Sequence, residues 1–243
     1  MRQTIRTALL RRVFNGHKKP RLFDAKLVRL CVLFEDLRVE IRGAAERSLP
    51  ALDILDPEKE NWLSPTGTGQ YRKFYFIRRS LATLRDFAEA LRLIIRDMNS
   101  GPGLRLTFAG LPDEAPALWD AAIRFFHANE ALLQAIRNDI GGHFGVEAAR
   151  NALSTLQPGT CGSITLVLDV VERRERRTVH ADQQLRLHFA AEIAATALLK
   201  HLPNGDIAQY GAFLRDILAP GYQHAINCVD ILVREYLWER FGS

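Results

Sequence analysis

Hydrophobic positions along the chain fall into stretches of helical period separated by short polar breaks. Between residues 21 and 48, Leu22, Leu27, Leu30, Leu33, Phe34, Leu37 and Ile41 recur at near-helical spacing with charges between them, which predicts a long amphipathic helix that ends before Pro50. Residues 49–69 are rich in Pro, Gly, Ser and Thr and read as a connection, with Trp62 as its apolar anchor. A second long helix is predicted over 70–98, where Phe74, Ile77, Leu81, Leu84, Ala88, Leu91 and Ile95 keep one face apolar. Gly101, Pro102, Gly103, Gly110 and Pro112 then break the pattern, leaving a loop over 99–113 with a candidate short strand at 104–108. The third helix, 114–140, points Leu118, Ile123, Phe126, Leu132, Leu133 and Ile136 inward and carries Arg137 in its last turn. A short helix over 146–156 follows and stops before Pro158.

After Pro158-Gly159 the pattern changes. Ile164–Val171 is apolar and β-branched, and periodicity alone does not separate a strand from the start of a buried helix there. Two further helices are expected, over 182–201 and over 206–239, the second interrupted near Pro220-Gly221. The expected architecture is an all-α bundle of long antiparallel helices, with room for a short minor strand pair. It divides into a basic arm (1–20), a helical core (21–157) and a C-terminal helical extension (158–243) packed on the same domain.

Composition narrows the class without naming a chemistry. A chain of 243 residues, 47% apolar and 25% charged, can bury a substantial core without staples. Cys31, Cys161 and Cys228 are odd in number and far apart, which suggests neither a disulfide framework nor a CxxC metal site and fits a reducing cytoplasm. Only six of the 33 basic residues are lysine, the bias that a GC-rich bacterial genome produces. The net charge of +5 is compatible with a polyanionic partner but does not demand one. The first twenty residues carry Arg2, Arg6, Arg11, Arg12, Lys18 and Lys19 around Leu9, Leu10, Val13 and Phe14, with no acid among them. That arm suits nucleic acid, a membrane surface or a presequence, and it equally suits a short amphipathic helix docked on the body. No apolar run reaches the ~18 residues of a membrane span, since even 189–199 carries Glu192.

Several familiar chemistries lack local support. Gly67-Thr68-Gly69 is no phosphate loop, because a Walker sequence needs Gly-Lys-Ser/Thr opening a helix after a strand. No GxSxG elbow, HExxH pair or DxD cluster is present. Cys161 with His180 or His188 would make a nucleophile and base, although a lone cysteine is more simply a small buried hydrophobe. His127, close to Glu130, is a core or surface histidine as readily as a functional one. The segment Arg72–Arg79 interleaves bases with aromatics in the manner of a single-stranded RNA surface. Its simpler reading places the aromatics in the core and the arginines in solvent. Glu172–Arg177 is likewise either a basic patch or a solvated helix or turn.

One segment carries sharper chemistry: Arg137-Asn138-Asp139-Ile140-Gly141-Gly142-His143. On an unbroken helix the side chains of Arg137 and His143 would diverge by about 120°. Gly141 and Gly142 can end the helix after Ile140 and let His143 fold back toward the last turn. A guanidinium offers paired donors to phosphoryl oxygens, and a neutral imidazole moves a proton near pH 7, with no metal required. Arg and His near a helix C-terminus are also favoured by the macrodipole, so helix capping remains open as their role.

On Arg137, Asn138 and His143 the chain resembles the HEPN superfamily, helical proteins marked by an arginine, usually followed by a polar residue, and a histidine four to six residues on. The resemblance covers the motif and, loosely, the helices of residues 21–156. It implies an HEPN-like bundle and, for many members, a metal-independent endoribonuclease of a toxin-antitoxin, defence or RNA-processing system that works as a homodimer without a cofactor; other members are silent scaffolds. Carried onto this sequence, Arg137 would hold the scissile phosphate, His143 would act as general acid or base, and Asn138 would position the pair. Cleavage would leave 2′,3′-cyclic phosphate ends. RNA and an antitoxin or effector protein are the partners it implies.

Overall fold

The computed structural model describes residue 13, residues 22–45, 66–101, 104–141, 146–155, 164–166 and 185–187, residues 193, 196, 197, 200 and 201, and residues 210–241. Its frame is an antiparallel hairpin of α1 (Leu22–Ala45) and α2 (Thr66–Ser100). Both helices form where the apolar period predicts, although α2 begins at Thr66, four residues inside the stretch read as a connection. The buried set on α1 is Phe23, Leu27, Leu30 and Leu37, and on α2 it is Ile77, Leu81, Leu84, Phe87, Leu91 and Ile94. The antiparallel register is fixed along its length by Lys26 to Asp97 (2.6 Å) and Arg79 to Glu40 (3.5 Å), and by Gly43 against the Phe76 ring. An added Cβ at Gly43 would lie 2.8 Å from that ring, so the Phe76 side chain needs a residue without a Cβ opposite it.

The third helical region is divided. Chain helical over 115–136 splits into α3 (Ala115–Ala128) and α4 (Glu130–Ile136) at Asn129. The Asn129 side-chain amide and its backbone N–H both donate to the Phe125 carbonyl, at 2.9 and 3.1 Å, which closes α3 locally. A wide π-helical turn, Arg137–Gly141, follows α4, and α5 (Val146–Ser154) comes next. Residues 104–108 form no strand. Their polar groups turn to the C-terminal helix: the Thr107 N–H and hydroxyl donate to Glu235 Oε1 at 2.9 and 2.6 Å, and the Tyr236 hydroxyl donates to the Leu104 carbonyl. The segment closes in a tight turn with Phe108 and Gly110 at φ of 56° and 75°.

The C-terminal region holds one correction to the sequence expectation. Within the helix expected over 182–201, Leu185–Leu187 is a strand, β2, paired antiparallel with β1 (Ile164–Leu166) in the register Ile164 to Leu187, Thr165 to Arg186 and Leu166 to Leu185. Near Pro220-Gly221, where the sequence predicts an interruption, the last helix changes its winding without stopping. It runs through α6 (Tyr210–Phe213), a second π-helical turn (Leu214–Leu218) and α7 (Ala219–Tyr236), then a 3₁₀ turn, Glu239–Phe241. Pro220 sits in the first turn of α7, directly after the widened turn. There its missing N–H and its ring are tolerated.

Helix α7 lies antiparallel to α1, with Phe23 edge-on to Tyr236 (5.0 Å), Phe34 stacked on Tyr222 (6.3 Å) and Arg240 bonded to Asp24 (2.9 Å). It also packs on α3, where Phe125 meets His224, and α3 meets α2 through Phe126 and Phe87. One core therefore collects α1, α2, α3, α4 and α7, and the fold is an all-α helical bundle to which the strand pair is a minor addition. No helix among the described residues is long and apolar enough to cross a membrane. Cys228 lies fully in this core, where burial pushes its thiol far above the usual range.

Candidate functional site

The π-helical turn after α4 is set by its two anchors, Leu133 and Ile136, which are fully buried one turn earlier. They fix which way the next three side chains leave the helix. Arg137 reaches α2, where its Nε lies 2.8 Å from Asp86 Oδ1 with the side chain 43% exposed. Asn138 lies on the exposed side, its Oδ1 accepting from Gln134 Nε2 at 2.6 Å. Asp139 turns away from Arg137, since residues two apart on a helical turn do not face each other. Its Oδ2 accepts from Lys200 Nζ at 2.7 Å and lies 2.9 Å from His201 Nε2.

Two electrostatic clusters result. On the Arg137 side, Glu89 of α2 is held below the ordinary carboxylate range, first by the hydrogen bond from Arg85 and, against partial burial, by the charges of Arg85, Arg29 and Arg137. Three guanidiniums from α1, α2 and the turn thus surround one carboxylate beside Asp86. On the other side, burial works to raise the Asp139 carboxyl. The hydrogen bond and charge of Lys200, then the influence of His201, outweigh that and hold it below its ordinary value. Burial lowers the His201 imidazole against the opposing pull of Asp139, with Lys200 adding to the fall. The ring is nearly enclosed, 7% exposed, and is neutral near pH 7. A hollow of about 30 Å³ opens between Asp139, Asn151, Thr155, Thr196 and Lys200, room for a water and not for a nucleotide.

Of the residues singled out in the sequence, Arg137 and Asn138 stand together on this turn, and His143 lies outside the described residues. His127 is exposed at the end of α3, and Cys161, His180, His188 and the segment 172–177 lie outside the described residues. The interleaved segment of α2 resolves, from Tyr75 onward, into a mixed face. Tyr75 is exposed beneath the Arg78 guanidinium (5.8 Å), Ile77 is buried, and Arg79 serves Glu40. Asp86, Glu89, Lys200 and His201 carried no local signal. Among the described residues no group of three or more His, Cys, Asp or Glu side chains is placed to hold a metal ion. No protein-family model, curated protein or solved structure matches the chain.

Proposed function

We propose that this chain is a metal-independent endoribonuclease of the HEPN type, acting in the bacterial cytoplasm as a homodimer and restrained by an antitoxin or effector protein. The observation that carries the reading is Arg137 itself. It stands half-exposed at a helix end with its Nε 2.8 Å from Asp86 Oδ1, a contact that orients the guanidinium for a phosphate arriving from the solvent side. Asp86 is then the positioning carboxylate. In this reading His143 takes the proton of the ribose 2′-hydroxyl or returns one to the departing 5′-oxygen. The 2′-oxygen forms its bond to phosphorus as the P–O5′ bond breaks, Arg137 balances the charge gathered on the phosphoryl oxygens, and the products are a 2′,3′-cyclic phosphate and a 5′-hydroxyl.

The same ion pair favours a second reading, a catalytically silent interaction module in which Asp86–Arg137 braces the turn against α2 and Asn138 and His143 only finish the helix. Cleavage of a mixed single-stranded RNA pool in EDTA, with end-group analysis, separates the two. The nuclease reading expects cyclic-phosphate ends, lost in Arg137→Ala and His143→Ala, and a reduced rate in Asp86→Asn. The silent module expects no cleavage, with Arg137→Ala and Asp86→Asn changing stability alone.

A further inference from the structure

Helix α2 carries Arg85, Arg92 and Arg96, and spacings of seven and eleven residues place all three within about 20° of one line along its surface. The line is about 16 Å long at 1.5 Å per residue. Arg92 and Arg96 are exposed, and no ion pair engages either among the described residues. Arg29 of α1 flanks the middle of the line, by the register of the hairpin, and Arg137 of the turn meets its Arg85 end; with Arg85 both act on Glu89. Five arginines from three elements therefore face two carboxylates, Asp86 and Glu89, and the surface keeps a positive excess. The apolar residues of this stretch of α2 are buried (Leu91, Ile94) or half-buried (Leu93, Ile95), and no large exposed apolar side chain stands between Arg85 and Arg96, so the face offers a membrane little to insert. Guanidiniums in a row suit a chain of phosphates, each able to take paired donors.

We infer that Arg29, Arg85, Arg92 and Arg96 form a phosphate-binding track for single-stranded RNA that leads along α2 to Arg137. The inference deepens the nuclease reading and rests on it for the choice of RNA as occupant. Asp86 and Glu89 keep the arginines at the near end apart and oriented, and Arg92 and Arg96 supply the free charge that draws the strand in.

The test uses the full chain and a fluorescein-labelled dodecamer of 2′-O-methyluridine, whose blocked 2′ position cannot be cleaved, with anisotropy followed across a salt series in EDTA. Arg92→Gln/Arg96→Gln is expected to weaken binding about tenfold near 0.1 M salt. It also makes the plot of log affinity against log salt shallower by about 1.4, since each single-strand phosphate contact contributes about 0.7. Arg215→Gln/Arg234→Gln removes the same charge from exposed positions elsewhere and is expected to bind within about twofold of wild type. Equal loss in both double variants, or no binding by wild type, overturns the track. So does displacement of the oligomer by a polyglutamate peptide as readily as by unlabelled RNA, which points instead to an acidic protein. Cleavage of unmodified RNA is read separately, so the two ideas fail separately. Tight, salt-sensitive binding lost in Arg92→Gln/Arg96→Gln supports the track even if no RNA is ever cut, and undiminished cleavage of subsaturating RNA by that variant removes it while leaving the nuclease.

Discussion

Replacing Gly221 by alanine tests how closely α7 is seated on α2. The added Cβ would lie 2.5 Å from Leu84 Cδ2, 3.3 Å from Leu84 Cδ1 and 3.2 Å from Phe125 Cε1. Leu84 is fully buried, so its methyls have no solvent to swing into, and the strain must be met by shifting the core. Two effects oppose each other. A helix-interior Gly→Ala change contributes about 0.5–1 kcal/mol of stability through the backbone, while forcing an extra methyl into a packed core costs about 1–3 kcal/mol. An approach of 2.5 Å puts the overpacking cost in the upper half of its range, about 2–3 kcal/mol, so the net expectation is a loss of about 1–2.5 kcal/mol, which for a chain of this size lowers the thermal midpoint by roughly 2–10 °C. Urea unfolding followed by far-ultraviolet circular dichroism gives the free energy directly. Leu84→Ala alone should cost about 2–5 kcal/mol, and in that background the alanine methyl gains room, so the double variant should lose less than the two single losses together. Gly221→Ala as stable as wild type or more so, or strict additivity in the double variant, would refute the close seating.

The remaining predictions concern protons. Burial holds the Glu40 carboxyl above its ordinary value against the Thr83 hydrogen bond and the Arg79 charge, Asp36 adds to the rise, and Oε2 has no partner among the described residues. The fold therefore favours the protonated acid. Its contribution is complete below about pH 4.5 and is lost as pH rises through the folded value. Glu40→Gln is expected to be more favourable to stability at pH 7 than in acid, and a pH-independent effect in urea titrations would contradict this. His201 has the opposite sense: a lowered imidazole contributes stability that is present above about pH 6.5 and is lost as pH falls through the folded value. His201→Gln should flatten the fall in stability between about pH 7 and pH 5 without abolishing it, because burial lowers His224 as well. Superimposable pH profiles for variant and wild type would dismiss the enclosed imidazole.

The hairpin of α1 and α2 was legible because each helix presents a sustained apolar stripe to the core, the pattern from which sequence periodicity is read. The division at Asn129 was not, since α3 and α4 bury Phe126, Leu133 and Ile136 along a common side and the apolar period runs through the break. Leu185-Arg186-Leu187 is too short to distinguish a period of two from one of 3.6, and its pairing with 164–166 is a long-range choice. Pro220-Gly221 reads locally as a stop. The proline is absorbed by the widened turn before it and the glycine is needed for contact with Leu84, and neither circumstance is written nearby. At the candidate site, the residue types of Arg137 and Asn138 and their place at a helix end follow from local pattern. Asp86, Lys200 and His201 come to them only through packing, His201 from 62 residues beyond Asp139.

The turn Leu214–Leu218 works as a phase setter within one otherwise continuous helix. Its wide winding fixes the rotation of α6 relative to α7, so that Phe213 on one side and Ala225, Cys228 and Leu232 on the other all reach the core. Five residues in the wide winding, at about 80° each, turn the chain about as far as four in an ordinary helix at about 100° each, so the turn takes in one extra residue while Phe213 keeps the facing that a regular helix would give it. The phase across this segment, more than its length in residues, is what keeps both helices on the core.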